Sequence, residues 1–385
     1  MKKKVVLVVG TRPEAIKMAP LYLELKTSET LRPFLLSTGQ HQQMLEQALA
    51  AFDVQPDLDL KLMAPGQQLV DLTARVLKAV HTFLEEYQPA AVLVQGDTTS
   101  VFAASLAAAF ANIPVGHVEA GLRTYNMRSP WPEEMNRRLT SPLCRWAFAP
   151  TTQSRANLLE EKIPASNCFV TGNTVIDALL MTRERVQASH QDAVASARKI
   201  GVSGHFANEY FGENAKPFLL ITGHRRESFG SGFENICTAL LRLSQEHPEL
   251  GLLYPVHLNP AVQEPVHRLL GKNPQIELIA PVGYEDFVWL MDRSEFILSD
   301  SGGVQEEAPS LGKPVLVMRE TTERPEGVTA GTCTLVGTDV ERIVAEANVL
   351  LGDATEMKRR SELRNPYGDG TACRQIRLIL ERGLS

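Results

Sequence analysis

The amino-acid sequence predicts an α/β protein made of two doubly wound domains, each built on a parallel sheet. Its 385 residues are more than one hydrophobic core usually supports. Short β-branched runs alternate with amphipathic or Ala-rich segments, which indicates βαβ units and parallel sheets covered on both faces. Polar motifs follow directly after many of these runs. Because ligands of such folds bind beyond the C-terminal ends of the strands, we expect the functional residues there, in a cleft between the two domains.

The composition is that of an ordinary globular protein and argues against several classes of function. Hydrophobic residues make up 44% of the chain and charged residues 22%. The net charge of -6 provides no general attraction for nucleic acid, so a phosphorylated ligand must be held by local Arg and Lys side chains. The apolar run near the start ends at Gly10, too early for an export signal. The run 101–111 falls below the roughly 18 residues that span a membrane, so no membrane segment is expected.

Cysteine usage indicates the compartment. The five cysteines are odd in number, widely spaced and free of Cys-x-x-Cys pairs. This pattern argues against a disulfide framework and against a zinc site. A cytoplasmic location is therefore expected.

The predicted strands fall into two series, one for each domain. In the first half they are 5–9, 34–37, 91–94, 115–118, 146–149 and 169–171. In the second half they are 218–222, 252–255, 276–279, 295–298, 315–318 and 334–336. The segment 177–216 is expected to be helical and then irregular around 201–209, as suits a connection between domains. We therefore draw the domains at 1–176 and 177–365, with a last helix in 366–385 that returns to the first domain.

The stretch 296–309 predicts a phosphate site. It consists of a buried strand, a Ser-Gly-Gly turn and a helix start, where free N–H groups and the helix dipole favour an anion. Gly302 and Gly303 let the backbone approach the ligand, and Ser301 adds a hydroxyl donor. Glu307 lies one turn further along, where its carboxylate can accept hydrogen bonds from ribose hydroxyls. By itself, the pattern is equally consistent with an ordinary strand-to-helix turn.

Cationic side chains follow the first predicted strand, in the motif Gly10-Thr-Arg-Pro-Glu-Ala-Ile-Lys17. The motif is neither Gly-x-Gly-x-x-Gly nor a P-loop, so it signals neither a dinucleotide nor ATP. Arg12 and Lys17 can reach an anion at the helix start. The alternative interpretation is that both are solvated charges at the end of a helix.

Three carboxylates follow strands or lie near strand ends in the first domain. Asp97 and Glu119 come after neighbouring strands, and Glu133 lies in Pro132-Glu-Glu-Met-Asn-Arg137. Taken alone, Asp97 is better explained as the cap of the Ala-rich helix that follows. Three carboxylates with Arg neighbours around one cleft are more than capping requires, and they indicate proton transfer.

The second domain carries polar and aromatic residues at the corresponding loops. His224 follows a strand and can contact a phosphate or move a proton, with a structural histidine as the alternative. His257 is similarly placed and is the weaker catalytic candidate. After the strand 276–279, the backbone near Val282 can pair with a base edge and Phe287 can pack on the base. From its position in the sequence alone, however, core packing is the better explanation of Phe287. Arg324 is expected near the Ser301 turn.

The resemblance to a known family rests on the following motifs. They are Gly10-Thr-Arg-Pro-Glu-Ala-Ile-Lys-Met-Ala-Pro20, Gly96-Asp-Thr-Thr99, His117-Val-Glu-Ala-Gly-Leu-Arg123, Pro132-Glu-Glu-Met-Asn-Arg137, Gly172-Asn-Thr174, Gly223-His-Arg-Arg-Glu227, Tyr254-Pro-Val-His257, Asp300-Ser-Gly-Gly-Val-Gln-Glu-Glu-Ala-Pro309 and Thr321-Thr-Glu-Arg-Pro-Glu326. They resemble the non-hydrolysing UDP-N-acetylglucosamine 2-epimerases of bacteria, over nearly the whole chain. The resemblance implies a GT-B fold of two Rossmann-like domains, a homodimer, no metal and no cofactor. It also implies interconversion of UDP-N-acetylglucosamine (UDP-GlcNAc) and UDP-N-acetylmannosamine (UDP-ManNAc) for surface polysaccharides.

The resemblance also implies a role for each candidate residue. The diphosphate is expected at Ser301, Gly302 and Gly303, the ribose at Glu307, and the uracil at Val282 and Phe287. The side chains that line the phosphates and the sugar are expected to be Arg12, Lys17, His224 and Arg324. The carboxylates at the reacting sugar are expected to be Asp97, Glu119 and Glu133. His224 is also counted as catalytic. Some family members bind a regulatory UDP-GlcNAc, for which the matching positions are Gln40, Gln43 and His257. A basic residue of that regulatory site has no counterpart near Gly66-Gln-Gln68.

The chemistry of such a reaction restricts the mechanism. No carbonyl acidifies the C2 hydrogen of the sugar, and no nicotinamide motif supports oxidation. Anti elimination of UDP to 2-acetamidoglucal, followed by re-addition, is the remaining path, and it needs a base, an acid and cationic groups at the diphosphate. Which carboxylate is the base stays open. The alternative functions are a GT-B glycosyltransferase with a UDP-sugar donor and a non-catalytic nucleotide-sugar sensor.

Overall fold

The computed structural model describes residues 1–39, 42–62, 66 and 68–385, and for residues 42–44 it describes the backbone only. Contacts within this part of the chain define two compact units. Unit 1 consists of Met1–Met181 and Tyr367–Ser385, and unit 2 consists of Thr182–Pro366. Among the described helices, none combines the length and the apolar character that crossing a bilayer requires.

Unit 1 contains a parallel sheet. Its described strands are β1 (Lys3–Val9), β2 (Leu31–Ser37), β3 (Leu58–Asp59), β4 (Ala91–Gln95), β5 (Val115–Val118), β6 (Cys144–Ala149) and β7 (Cys168–Val170). The order across the sheet is β3-β2-β1-β4-β5-β6-β7, and each pair is parallel. The order reverses between β1 and β4, so a crevice opens at the C-terminal ends of these two strands. The two-residue strand β3 was not predicted from the sequence.

Helices cover the sheet of unit 1. Those described are α1 (Arg12–Lys26), α2 (Gln42–Ala50), α3 (Leu69–Tyr87), α4 (Thr99–Phe110), α5 (Glu133–Thr140), α6 (Thr152–Glu160), α7 (Thr174–Ser189), which ends in unit 2, and the last helix of the chain. Helix α3 buries Leu72, Val76, Val80 and Leu84, whose spacing of four places them on one face. That face packs against the Ala-rich helix α4 and the apolar side chains of β1 and β4.

Unit 2 contains a second parallel sheet. Its described strands are β8 (Phe218–Thr222), β9 (Gly251–Pro255), β10 (Ile276–Ile279), β11 (Ile297–Ser299), β12 (Val315–Val317) and β13 (Cys333–Leu335), in the order β10-β9-β8-β11-β12-β13. The helices after α7 are α8 (Ala193–Lys199), α9 (Gly204–Phe211), α10 (Ser231–Glu246), α11 (Pro260–Leu270), α12 (Tyr284–Arg293), α13 (Gly302–Glu307), α14 (Pro325–Ala330), α15 (Val340–Gly352) and α16 (Ala354–Ser361). The strand order reverses between β8 and β11, which opens the corresponding crevice.

One predicted connection is wrong in detail. The residues around 201–209 were expected to be irregular, but most of them belong to α9. The side chain of Ser203 caps this helix by accepting a hydrogen bond from the backbone N–H of Phe206. Phe206, Ala207, Tyr210 and Phe211 are buried on one face. Burial of this apolar face outweighs the polar character of the segment, because helices in proteins are stabilised mainly by packing.

The last helix, α17 (Ala372–Gly383), belongs to unit 1 and packs against α1. The carboxylate of Asp177 accepts hydrogen bonds from the backbone N–H groups of Ala372 and Cys373 at its start. Arg377 Nε donates to Glu24 Oε1 of α1 at 2.7 Å. These contacts hold the end of the chain on the helix that follows β1.

Candidate active site

In unit 1, the first two candidate loops follow adjacent strands at the point where the strand order reverses. Arg12 and Lys17 lie on α1 directly after β1, and Asp97 follows β4. Glu119 follows β5, the next strand of the sheet. Because all of these strands are parallel, their C-terminal ends lie along one edge, and the side chains after them share it.

Glu119 is the most constrained carboxylate of this group. It is only 8% exposed, and its backbone has a φ of +64°, which is uncommon for a residue with a side chain. Lys17 Nζ donates to its Oε1 at 2.5 Å, and Asn173 Nδ2 donates to the same oxygen at 3.0 Å. Gln95 Nε2 donates to Oε2. Side chains from three other segments of unit 1 therefore fix the position of this carboxylate.

Asp97 is paired with a cation and does not cap the following helix. Arg137 donates to Asp97 Oδ2 from Nε at 3.0 Å and from Nη2 at 2.7 Å. The cap of α4 is Thr98, whose hydroxyl accepts a hydrogen bond from the backbone N–H of Val101. The structure thus removes the capping interpretation of Asp97 and leaves its side chain 27% exposed.

Glu133 and Arg12 lack partners within the described residues. Glu133 is the first residue of α5, and its Oε2 is buried without a hydrogen bond. Arg12 is the first residue of α1, and its half-buried side chain has no hydrogen bond or ion pair in the described part of the chain. A buried carboxylate oxygen without a donor is costly, so a ligand group at Glu133 would offset that cost.

Two buried titratable groups near this edge were not identified from the sequence. Glu14 accepts hydrogen bonds from the backbone N–H groups of Gly10 and Thr11, at 2.6 and 3.2 Å, and burial raises its pKa to about 7. His117 lies in β5 with Nε2 at 2.7 Å from the carbonyl oxygen of Gly96, and burial lowers its pKa to about 4. His117 is therefore uncharged at neutral pH, whereas the pKa of Glu14 makes both of its protonation states accessible there.

In unit 2, His224 follows β8 and is held by a buried carboxylate. The backbone N–H groups of His224 and Arg225 both donate to Asp300 Oδ2, at 2.6 and 2.8 Å. His224 Nδ1 lies 3.2 Å from Asp300 Oδ1, which is close enough for charge attraction although the atoms are not aligned for a hydrogen bond. Burial by itself raises the pKa of Asp300, but the contacts with His224 and Arg225 outweigh burial and lower it. The His224 ring remains 39% exposed, with its centroid 5.4 Å from that of His257.

The Ser301 turn lies after β11, beside β8 in the sheet. Ser301 precedes α13, and a Cβ atom added to Gly302 would lie 3.1 Å from Arg324 Cζ. This is closer than most such contacts, so a side chain at this position would force the guanidinium to shift by a few tenths of an ångström. Arg324 Nε donates to Glu306 Oε1 at 2.9 Å. The expected proximity of Arg324 to the turn is thus present in the structure.

Glu307, the candidate ribose ligand, is 7% exposed and accepts a hydrogen bond from the Tyr284 hydroxyl to Oε1 at 2.6 Å. Val282 and Phe287 are half-buried. Val282 lines a pocket of about 1120 Å³ together with Pro281, Gly283 and residues of the α7–α8 segment such as His190. The assignment of the uracil to Val282 and Phe287 stays a prediction.

The regulatory candidates fall mostly outside the described residues. Gln40 is not described, and Gln43 lies in α2 with its side chain outside the description. His257 is exposed, and its Nδ1 accepts a hydrogen bond from the backbone N–H of Asn259 at 3.1 Å. Within the described residues, no group of three or more His, Cys, Asp and Glu side chains is arranged to hold a metal ion.

Sequence reasoning missed the residues that hold the candidates in place. These are Gln95 and Asn173 at Glu119, Arg137 at Asp97, Asp300 at His224 and Tyr284 at Glu307. All of them lie in or beside the motifs noted in the sequence, and this position was the only sign in the sequence that they contribute to the site. Which carboxylate each one meets depends on contacts between distant segments, such as the 102 residues that separate Lys17 from Glu119.

Comparison with known proteins identifies similar sequences over nearly the whole chain. A family model described as UDP-N-acetylglucosamine 2-epimerase matches residues 23–381. A UDP-N-acetylglucosamine 2-epimerase of Salmonella typhimurium is 53% identical over 374 residues, which cover 97% of this chain and 97% of that protein. A protein of the same name from Escherichia coli K12 is 54% identical over 373 residues, again covering 97% of each.

Solved structures give the same result. A UDP-GlcNAc 2-epimerase from Neisseria meningitidis, bound to UDP-GlcNAc, superimposes with a TM-score of 0.87 at 47% identity and covers 98% of this chain and 100% of that one. An epimerase from Methanocaldococcus jannaschii, in complex with UDP-GlcNAc and UDP, has a TM-score of 0.77 at 30% identity and covers 99% and 100%. These likenesses confirm the predicted α/β class and the GT-B fold.

Proposed function

The chain belongs to the UDP-N-acetylglucosamine 2-epimerase family, and from this premise we propose how it inverts C2 of UDP-GlcNAc to form UDP-ManNAc without hydrolysing the substrate. The reaction is an anti elimination followed by re-addition. The observation that supports this route most directly is the set of carboxylates in unit 1. Asp97 and Glu119 follow neighbouring parallel strands, and each is held by a cationic side chain, Arg137 or Lys17. Glu133 adds a buried carboxylate oxygen without a donor in the described residues.

The elimination step moves one proton and breaks one C–O bond. A carboxylate removes the C2 hydrogen as a proton, the electron pair forms the C1–C2 double bond, and the C1–O bond breaks to release UDP. The product pair is 2-acetamidoglucal and UDP, so atoms and charge balance. In the return step, an oxygen of UDP bonds to C1 and an acid delivers a proton to C2 on the opposite face. Two acid–base groups on opposite faces are therefore required.

The groups that hold UDP are proposed to come from unit 2. The N–H groups at the start of α13 and the Ser301 hydroxyl bind the diphosphate, and Glu307 binds the ribose. Arg324 lies beside Gly302, where its positive charge stabilises the negative charge on the leaving diphosphate. His224, fixed by Asp300, acts on the same side of the substrate. Val282 and Phe287 complete the site at the uracil, and Arg12 of unit 1 acts on the phosphate side.

The direct test is incubation of the pure protein with UDP-GlcNAc alone, followed by NMR. UDP-ManNAc is expected to appear, and in D₂O the product is expected to carry deuterium at C2. Deuterium enters because the proton returned to C2 comes from a group that exchanges with solvent. A glycosyltransferase would leave its donor unepimerised, and a sensor would leave it unchanged. Retention of protium at C2 in the epimerised product would contradict the elimination route.

A second UDP-GlcNAc is proposed to regulate the enzyme through Gln40, Gln43 and His257. This rests on the family resemblance, and the chain lacks a basic residue near Gly66 that some members use. If regulation operates, the reverse reaction from UDP-ManNAc should begin with a lag that a trace of UDP-GlcNAc removes. Full initial velocity in UDP-ManNAc freed of UDP-GlcNAc would contradict it.

The biological setting follows from the same premise. A homodimer is proposed, because unit 1 exposes apolar side chains on helices α3, α4 and α5, and α4 packs against both α3 and α5. A cytoplasmic location is proposed, because all five cysteines are buried and free of disulfide bonds. UDP-ManNAc made there would supply the biosynthesis of surface polysaccharides.

A further inference from the structure

Arg137 of α5 is a buried cation that donates hydrogen bonds to two carboxylates near the candidate site, Asp97 and Glu134. Its side chain is only 8% exposed, and three of its nitrogens donate hydrogen bonds. Nε and Nη2 both donate to Asp97 Oδ2, and Nη1 donates to Glu134 Oε2 at 2.9 Å. The guanidinium therefore links two carboxylates that belong to different segments of unit 1.

Glu134 anchors this arrangement. Its side chain is fully buried, and its two oxygens accept hydrogen bonds from the backbone N–H groups of Thr124 and Tyr125, each at 3.0 Å. Asn136 Nδ2 of the same helix donates to the carbonyl oxygen of Asp97 at 2.8 Å. Helix α5 thus holds Asp97 by its side chain and by its backbone, and it is itself fixed to the segment after β5.

The two hydrogen bonds from Arg137 set the orientation of the Asp97 carboxylate. Because both donors of Arg137 converge on Oδ2, they fix the rotation of the carboxylate. Within the described residues, Asp97 Oδ1 receives no hydrogen bond. One oxygen is therefore occupied, and the other is available for a ligand at the exposed side of the residue.

We propose that Arg137 is a positioning residue that holds Asp97 Oδ2 and thereby turns Oδ1 toward the sugar. This inference rests on the proposed function, because it assumes that Asp97 acts at the reacting sugar. Arg137 itself does not touch the substrate. The competing explanation is purely structural, namely that Arg137 neutralises the buried Glu134 and keeps α5 folded.

The substitution Arg137→Lys distinguishes the two explanations. Lysine keeps the positive charge beside Glu134, but an ammonium group lacks the planar fork that places two donors on one oxygen. If Arg137 positions Asp97, kcat should fall by about 10-fold to 100-fold, as expected for a displaced catalytic group, while KM stays close to that of the wild type. If the role is only structural, the Arg137→Lys variant should retain both the melting temperature and the kcat of the wild type. Recovery of full kcat in a stably folded Arg137→Lys variant would overturn the positioning role.

A double-mutant comparison tests whether Arg137 acts through Asp97. In the Asp97→Asn background, Arg137→Lys should reduce the remaining kcat by less than about twofold, because the group that it positions is already lost. Losses that multiply would show that Arg137 acts independently of Asp97 and would overturn the inference. A matched control is Arg138→Ala, since Arg138 is the next residue of α5 and pairs with Glu161 rather than with Asp97. That variant should keep the wild-type kcat.

The same measurements separate failure of this inference from failure of the proposed function. Absence of UDP-ManNAc formation by the wild type contradicts the function and, with it, the positioning role. A wild type that epimerises while Arg137→Lys does so equally fast contradicts only the positioning role.

Discussion

At the scale of single residues, the carboxylates Asp97 and Glu119 are expected to act in proton transfer and not in the binding of UDP. The isosteric substitutions Asp97→Asn and Glu119→Gln keep the shape of each side chain but remove its basicity. We expect each to lower kcat by about 10²-fold or more. The affinity for UDP, measured by calorimetry, should remain close to that of the wild type, since neither residue is among the proposed UDP ligands. Near-normal turnover in both variants would remove these residues from the mechanism.

Glu14 gives a pH-dependent prediction for stability. Its pKa rises from 4.5 to about 7 on folding because it is buried. An acid with a raised pKa binds its proton more tightly in the folded protein than in the unfolded chain. The stabilisation of the fold by this proton is therefore fully present below pH 4.5 and is lost as the pH rises through 7. At 1.36 kcal/mol per unit, the shift corresponds to about 3 kcal/mol. The Glu14→Gln variant, which cannot titrate, should therefore gain about 3 kcal/mol relative to the wild type between pH 4.5 and pH 8.

Urea unfolding of both proteins across this pH range measures the difference. His117 has its pKa lowered to about 4, so it destabilises the fold only as the pH falls below 6.5, and it does so equally in both proteins. The control is Glu29→Gln, because Glu29 is exposed in the loop after α1. A stability difference between Glu14→Gln and the wild type that does not change with pH would show that Glu14 does not titrate in this range.

At the scale of elements, the turn before α13 is expected to bind UDP without taking part in proton transfer. Ser301→Ala removes a hydroxyl donor to the diphosphate, and Glu307→Ala removes the acceptor for the ribose hydroxyls. Each should weaken UDP binding by roughly 1 to 3 kcal/mol, the range for a lost hydrogen bond that involves a charged group. Calorimetry checks this, with Glu362→Ala as control, since Glu362 is exposed at the end of α16. Unchanged affinity in both variants would contradict the assignment of the turn.

Helix α17 offers a matched pair of substitutions. Leu380 is fully buried where the helix packs on α1, whereas Leu378 on the same helix is 36% exposed. Leu380→Ala should lower the free energy of unfolding by about 2 to 5 kcal/mol, because it leaves a cavity in the core. Leu378→Ala should lower it by less than about 1 kcal/mol. Chemical denaturation followed by circular dichroism measures both. Equal effects would mean that α17 does not pack as described.

At the scale of the whole molecule, the exposed apolar side chains of unit 1 are expected to lie in the interface of the proposed homodimer. Val70 is 72% exposed on α3, and Phe110 is 61% exposed at the end of α4. A charge placed there would have to be buried on association, so Phe110→Glu should shift the protein from dimer to monomer. Analytical ultracentrifugation distinguishes the two masses. Val349→Glu, at an exposed position of α15 in unit 2, should leave the dimer intact. A wild type that sediments as a monomer would exclude the homodimer.

The sequence by itself determined the α/β class, nearly all of the strands and the loops that carry the candidate residues. This was possible because apolar periodicity and turn chemistry are local properties of the chain. The long motifs after the strands also determined the family. The segment 204–211 was misjudged, because the burial that makes it helical comes from contacts outside the segment.

Only the tertiary structure decided which side chains hold which carboxylates. Arg137 meets Asp97 across 40 residues, Asn173 meets Glu119 across 54, and Asp300 meets the backbone of His224 across 76. Burial likewise decided the raised pKa of Glu14 and the lowered pKa of His117. Spacing along the chain contains no information about such pairs, because the packing of the sheet brings the segments together. The residue type and its motif therefore indicate that a side chain can bind a ligand or transfer a proton. The folded chain determines the orientation and the charge of that side chain.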